Sequence, residues 1–341
     1  MAILVTGGAG YIGSHMVLDL VDAGEEVIVL DNLSTGCGAN LPKGVPLIAG
    51  NVGDEKLVAQ TLREYDVSAI IHFAASVVVP ESVRAPLVYY ENNTINARAL
   101  LSAAVGANVK QFIFSSTVAV YGNPSATPVH EDAPTLPLSP YGRSKLMTVW
   151  MLLDVEAAYG LRYVVLRYFN VAGADRRGRT GPTTPNATHL IRVAVQAALG
   201  MRSQVDVFGT NYATPDGSCV RDYIHVSDLV RAHSAALAFL RADGRSVTLN
   251  CGYGHGYSVL EVLDAVNRLS GRNFDVTHVG RRPGDPASIV ADSSRLRSTL
   301  CWTPQLNDLD GIVADALNWE RALAHFQNAR FETRSNPGSG S

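Results

Sequence analysis

Short apolar runs alternate with helix-length segments through the first half of the chain. Ile3-Leu4-Val5, Val27-Ile28-Val29-Leu30, a weaker Pro46-Leu47-Ile48-Ala49, Ala69-Ile70-Ile71-His72-Phe73, Phe112-Ile113-Phe114 and Tyr163-Val164-Val165-Leu166 read as strands. Between them, Tyr11–Ala23, Leu87–Gly106 and Tyr141–Tyr159 read as helices, the second with Leu100, Leu101, Ala104 and Val105 at helical spacing. Strands that are apolar throughout and alternate with helices predict a parallel sheet covered on both faces. Crossovers between parallel strands are right-handed, so the expected fold class is α/β with a doubly wound parallel sheet.

After Asn170 the pattern loosens. Residues 174–188 are rich in Gly, Pro, Thr and Arg and read as a loop. Leu190–Gly200 reads as a helix. Shorter mixed segments follow at Val205–Phe208, Tyr223–Val226 and Val247–Asn250, with helices near 228–241, 258–270 and 309–326. This predicts a smaller α/β C-terminal substrate domain. The expected division is 1–170 for the nucleotide-binding part, with a return near 226–250, and 171–330 for the rest. The polar, Gly- and Ser-rich residues 331–341 are expected to be a disordered tail.

Composition narrows the function classes. A chain of 341 residues suits about two domains. It is 47% hydrophobic and 17% charged with a net charge of −3, which excludes a mostly disordered chain and lacks the basic surplus of a nucleic-acid binder. No apolar run approaches the ~20 residues of a membrane span. Met1–Val5 turns at Gly7 with no basic and long apolar leader, so no secretory signal is expected. Cys37, Cys219, Cys251 and Cys301 contain no CxxC pair, so no metal framework is expected and free thiols point to the cytoplasm.

Candidate chemistry begins at Thr6-Gly7-Gly8-Ala9-Gly10-Tyr11-Ile12-Gly13, which follows a strand and opens a helix. Glycines at 7, 10 and 13 let the backbone turn and approach a pyrophosphate, whose charge then sits on the helix N-terminus. Asp31 ends the second strand, where a carboxylate accepts from ribose hydroxyls and repels a 2′-phosphate, so NAD is expected rather than NADP. Tyr141 and Lys145 stand four apart at the start of a helix and share a face. An ammonium beside a phenol lowers the phenol's pKa, and a drop of ~3 units takes about 4 kcal/mol, roughly what one charge at ~4 Å supplies at an effective dielectric of ~20.

These motifs resemble the extended short-chain dehydrogenase/reductase family. The resemblance runs from Ala2 to about Trp319 and is carried by Val5–His15, Leu30-Asp31-Asn32, Phe112–Thr117, Ser139–Leu146, Leu166–Asn170 and Arg221–Val226. It implies a Rossmann sheet and an NAD-dependent interconversion of UDP-glucose and UDP-galactose at C4, with UDP-GlcNAc and UDP-GalNAc as further substrates; the alternative is the UDP-xylose and UDP-arabinose pair or another sugar-nucleotide reaction of the family. Thr117 matches the catalytic Ser/Thr, which bonds the sugar O4 and relays its proton to Tyr141, beside Lys145. Gly7, Gly10, Tyr11, Ile12, Gly13, Asp31, Asn32, Asn51, Val52, Phe73, Ala74, Ala75, Asn92, Lys145 and Phe169 would line NAD. The family often carries a lysine where Val77 stands and an Asp where Asn51 stands.

For the substrate, the resemblance implies Arg221 and Arg282 at the diphosphate, Asn170, His189 and Leu190 beside it, and Asp206, Val207, Phe208 and Asp285 at uracil and ribose. Ser288 matches a gate near the sugar's C2 substituent, where a small residue leaves room for an N-acetyl group. It also implies a homodimer through a four-helix bundle built from 88–106 and 143–158. C4 of a hexose carries no acidic proton, so inversion requires oxidation to a ketone, rotation, and reduction from the other side, with binding energy concentrated on the UDP. Related dehydratases carry an Asp-Glu pair after the catalytic Thr; here Val118-Ala119-Val120-Tyr121 follows Thr117, and elimination lacks its proton donor. A net reductase or a non-catalytic NAD-binding regulator are the competing readings, and the presence of both Tyr141 and Lys145 argues against the latter. His72, His15, Tyr89 and Tyr90 read as packing residues.

Overall fold

Every residue of the first strand, β1 (Ala2–Thr6), is buried, as an apolar run between two helical layers requires. The computed structural model describes residues 1–184, 188–282 and 284–335, with side chains to 325. After β1 come α1 (Tyr11–Asp22), β2 (Val27–Asp31), β3 (Leu47–Ala49), α2 (Glu55–Glu64) and β4 (Val67–His72). The sequence pattern missed α2, whose Asp54 side chain accepts from Leu57 N and whose Val58, Thr61 and Leu62 face inward.

Then follow α3 (Val79–Arg84), α4 (Pro86–Tyr90), a π turn over Glu91–Ile95, α5 (Asn96–Gly106), β5 (Gln111–Thr117), α6 (Pro140–Tyr159) and β6 (Arg162–Tyr168). The expected helix from Leu87 to Gly106 is thus one helical run with an extra residue let in at its middle. Helix α6 starts where its sequence dictates: Ser139 Oγ accepts from Gly142 N, Pro140 occupies the first turn, and Gly160 ends it at φ +72°.

The remaining elements are β7 (Asn170–Ala172), α7 (Leu190–Ala198), β8 (Gln204–Phe208), β9 (Val220–Arg221), β10 (Tyr223–His225), α8 (Val226–Arg241), β11 (Val247–Cys251), β12 (Tyr257–Ser258), α9 (Val259–Ser270), β13 (Asp275–Val279), β14 (Ser288–Ile289), α10 (Ser294–Leu300) and α11 (Leu309–Ser335). Helix α11 runs past the expected start of the tail at 331, and residues 336–341 lie outside the described residues.

The main sheet has seven strands in the order β11-β6-β5-β4-β1-β2-β3, all parallel. The order reverses between β1 and β4, which opens a crevice above their C-terminal ends. Strand β11 joins the sheet beside β6, and α8 lies in the core of one face with α1. Small ladders β12-β9-β14, β10-β7 and β13-β8 stand above that edge. One large core covers each face of the sheet, and a third cluster of Val120, Tyr121, Val129, Leu146, Phe169, Ile289 and Ala291 joins α6 to the smaller ladders. Among the described residues no helix is long and apolar enough to cross a membrane.

Candidate active site

At the first turn of α1 the three glycines have distinct reasons. Gly7 stands at φ +68°, and a Cβ there would come within 2.6 Å of Ala74 N. A Cβ on Gly13 would lie 2.1 Å from Gly7 O, so only glycine lets α1 start this close to β1. Gly10 precedes the helix in extended backbone, and no side chain caps the amides of Tyr11, Ile12 and Gly13 behind it. Bare first-turn amides under glycine are a seat for a pyrophosphate. Asp31 Oδ2 accepts from Ala9 N at 2.9 Å and Oδ1 from Leu33 N at 2.8 Å, which fixes the carboxylate and leaves one lone pair per oxygen for ribose hydroxyls. Asn32, Ser34, Asn51, Ser76, Leu87, Val88, Glu91, Asn92 and Asn96 line a cleft of about 550 Å³ beside it. These residues fit NAD.

Some expected contacts are reassigned by geometry. The Tyr11 phenol donates to Gly173 O at 2.7 Å, and Val52 is buried with Leu30 and Val58 in the core. Tyr11 and Val52 therefore offer backbone to a ligand. The Phe73 and Ala74 amides both donate to Thr6 O, which holds the Phe73–Ala75 segment over the glycine turn. Phe169 packs with Leu146 and Ile289. Val77 is exposed, and Asn51 Oδ1 accepts from Gly53 N.

Thr117 ends β5, and its Oγ accepts from Ala119 N at 3.1 Å. Its hydroxyl hydrogen is then free for the Tyr141 phenol, whose ionised form Thr117 favours. Lys145, one turn on, is buried and donates from Nζ to Ser115 O at 3.0 Å, with Nζ 4.9 Å from the Phe114 ring centroid. Burial pushes the Tyr141 phenol up to about 12, with the Thr117 hydrogen bond pulling the other way. Burial alone pulls the Lys145 amine down to about 7. Without the nicotinamide's charge, burial sets the direction at Tyr141, where the helical spacing alone predicts lowering by the Lys145 ammonium. Desolvation disfavours both charged forms, because the two groups leave water together.

The surroundings were only partly legible. The Tyr89 ring stands edge-on to Tyr141 with centroids 6.5 Å apart, so this packing residue touches the reactive one. Asn93, in the π turn, accepts from Ser76 N and donates to Ser76 O and Ser144 Oγ, tying the Phe73–Ser76 segment to α6. Neither contact had a signal in the sequence, since neither follows from helical spacing. His233 donates from Nδ1 to Leu229 O at 2.9 Å, so its Nε2 accepts from the Ser115 hydroxyl at 3.3 Å. His72 is a core histidine, hydrogen-bonded to Thr6 Oγ1 at 2.6 Å, and His15 bonds locally to Tyr11 O.

The expected substrate residues gather on the smaller ladders. Asn170 opens β7 with its amide donating to Asp222 O, and His189 and Leu190 begin α7. Arg221 Nη2 lies 3.4 Å from Asp285 Oδ1, and the Arg282 guanidinium sits 3.5 Å over the Phe208 ring. Asp206 is exposed and Phe208 half-buried on one side of β8, whereas the Val207 side chain points into the core and offers only backbone. Pro283 lies outside the described residues. Ser288 stands on β14 beside Ile289. Side chains alternate along β14, and it is Ile289 that packs with Leu146 and Phe169; Ser288 lies on the other face.

Residues 3–252 match the profile of the NAD dependent epimerase/dehydratase family. The chain is 55% identical over 321 residues to a UDP-glucose 4-epimerase of Azospirillum brasilense, covering 94% of this chain and 92% of the relative. A crystal structure of UDP-glucose 4-epimerase from Brucella ovis in complex with NAD superposes with TM-score 0.91 at 42% identity, covering 93% of this chain and 97% of that one. The Bifidobacterium longum enzyme in complex with NAD+ and UDP gives 0.90 at 38% identity, covering 94% and 98%.

Proposed function

This chain belongs to the NAD-dependent epimerase/dehydratase family, and on that premise we propose that it interconverts UDP-glucose and UDP-galactose at C4. The observation that carries this reading is the Thr117–Tyr141 pair, buried beside Lys145 and followed by the apolar turn Val118–Val120 with no carboxylate in it. A dehydratase needs an acid at that turn to expel a hydroxyl; an inversion at C4 does not.

NAD bound at the glycine turn supplies a two-electron acceptor that returns what it takes, and it brings a positive charge to the site. Gly7, Gly10 and Gly13 with the Tyr11–Gly13 amides would hold its pyrophosphate, and Asp31 its adenosine ribose. Thr117 binds the sugar O4 and passes its proton to Tyr141. Tyr141 acts as base in oxidation and as acid in reduction, so no proton has to leave the protein. Lys145, held on Ser115 O, offers charge to the phenolate from below. Arg221, Arg282 and Asp285 hold the UDP. Exchanging the Arg221–Asp285 contact for diphosphate and ribose concentrates binding on the part of the substrate that does not react, which leaves the hexose free to turn.

The reading includes a division into a nucleotide-binding part, 1–170 with 226–250, and a UDP-sugar part drawn mainly from 171–330. It extends to a homodimer through α4, α5 and α6, supported by the exposed apolar side chains of Leu87, Val88, Ile95, Trp150 and Leu153 on these helices and the π turn. It places the enzyme in the cytoplasm, supported by four free cysteines.

The purified protein should carry NAD and convert UDP-galactose to UDP-glucose with no cofactor added and no net change in nicotinamide absorbance. The acetylated and pentose UDP-sugars belong in the same assay. No turnover of UDP-galactose, or turnover only with stoichiometric NADH, would overturn the proposal.

A further inference from the structure

Tyr121 stands four residues past Thr117 and is buried in a set of hydrogen bonds that the reaction above does not use. Arg167 Nη1 donates to its oxygen at 2.8 Å, and the phenol donates to Asn250 Oδ1 at 2.7 Å. The guanidinium carbon lies 4.9 Å from the ring centroid. Arg167 Nη1 also donates to Glu131 O, the Asn250 amide donates to Glu131 Oε1 at 2.8 Å, and Asn250 Nδ2 donates to Val129 O at 2.8 Å.

The topology gives this cluster its meaning. Arg167 on β6 is in register with Ser116 on β5, the residue before Thr117, and with Asn250 on β11. Tyr121 N donates to Val118 O and closes the turn whose Ala119 amide fixes the Thr117 Oγ. At the other end, Val129 N donates to Val290 O and Val129 O accepts from Asp292 N, directly after β14 and the segment that holds Arg282 and Asp285. The phenol therefore joins the ends of β6 and β11 to the turn after Thr117 and, through Asn250 and Val129, to the segment that leads to the UDP anchors.

An apolar side chain would fill this space without the cost of burying a guanidinium. The Tyr121 hydroxyl and the Asn250 side-chain amide are paired here, while Arg167 Nε has no partner among the described residues; such directional bonds admit fewer geometries than an apolar filler does. We infer that Tyr121, held by Arg167 and Asn250, is a positioning residue that sets the Thr117 hydroxyl against Tyr141 and ties its place to the segment that grips UDP. This inference rests on the proposed role of Thr117.

The test compares Tyr121→Phe with Thr117→Val as holoenzymes, well below each variant's Tm. Tyr121→Phe keeps the ring and removes one hydroxyl. It should lower kcat about tenfold, as a misplaced reacting group does. KM for UDP-galactose and Kd for UMP should stay within about twofold of wild type, since no UDP contact is removed. The isotope effect with UDP-[4-²H]galactose should rise, because the misaligned step becomes slower than the rest. Wild-type kcat and isotope effect with only a lowered Tm would overturn the inference and leave Tyr121 a packing residue. A raised KM with unchanged kcat would overturn it equally. If Tyr121→Phe does not fold, Arg167→Lys, which keeps the charge and one donor, should give the same kcat loss at constant KM, and wild-type kcat there would overturn the inference. Full activity in Thr117→Val would remove the premise instead, a failure that is read separately.

Discussion

Tyr141 and Lys145 lie one helical turn apart, both buried, and burial drives them in opposite directions: the phenol up to about 12 and the amine down to about 7. Burial thus disfavours the charged form of each, and the Thr117 hydroxyl is the group that favours the phenolate. Positive charge carried in with the nucleotide then has a large effect, because the surroundings are dry.

Tyr141→Phe removes the group that moves the O4 proton and little else, since the ring stays in its contact with Tyr89. Turnover of UDP-galactose should fall by a factor of about 10²–10⁴. Bound NAD, measured by release on denaturation, should remain. Wild-type turnover would remove Tyr141 from the mechanism.

Gly13→Ala places a Cβ 2.1 Å from Gly7 O, and backbone cannot yield as a side chain would. The turn over the helix N-terminus must open, at a cost of about 1–3 kcal/mol. The variant should purify with less NAD and a lower Tm. Full NAD content at unchanged Tm would contradict the packing described for this turn.

Acid should weaken the fold through buried histidines. Burial holds His72 down to about 3, and His15 and His233 down to about 4. An unfolded histidine titrates near 6.5, so between about 6.5 and 4 the unfolded chain binds the extra protons. Stability from these groups is complete above about 6.5 and is lost as pH falls, about 2 kcal/mol per group by pH 5. Denaturant midpoints should drop over this window, and His72→Gln should reduce the slope. A flat profile would show the histidines charging in the folded state.

Trp150 and Ile95 are exposed on α6 and the neighbouring π turn. If these helices form the dimer face, Trp150→Glu with Ile95→Glu should give monomers in analytical ultracentrifugation, with the fold intact. A wild-type dimer in the double variant would place the interface elsewhere.

Much of this was readable in the sequence because the residues concerned act locally. The glycine turn, Asp31 at the end of β2 and the Tyr141–Lys145 spacing each follow from one strand or one helix turn, and each stands where periodicity put it. What escaped depended on contacts between distant segments. Asn93 reaches Ser76 and Ser144 through a π turn that no spacing rule signals. Tyr121 meets Asn250 across 129 positions of chain. Short strands such as β14 carry too few residues to show their alternation, so the packing of Ile289 against Leu146 and Phe169 needed the fold. The opposing pull of burial on Tyr141 was not readable, because spacing gives the partner and says nothing of the water excluded around both groups.

The central claim is that the electrons leaving C4 return to the same carbon without exchange. UDP-[4-²H]galactose, incubated with the purified protein in ordinary water and no added cofactor, should yield UDP-glucose with its deuterium still at C4. Loss of that deuterium to solvent would contradict the account.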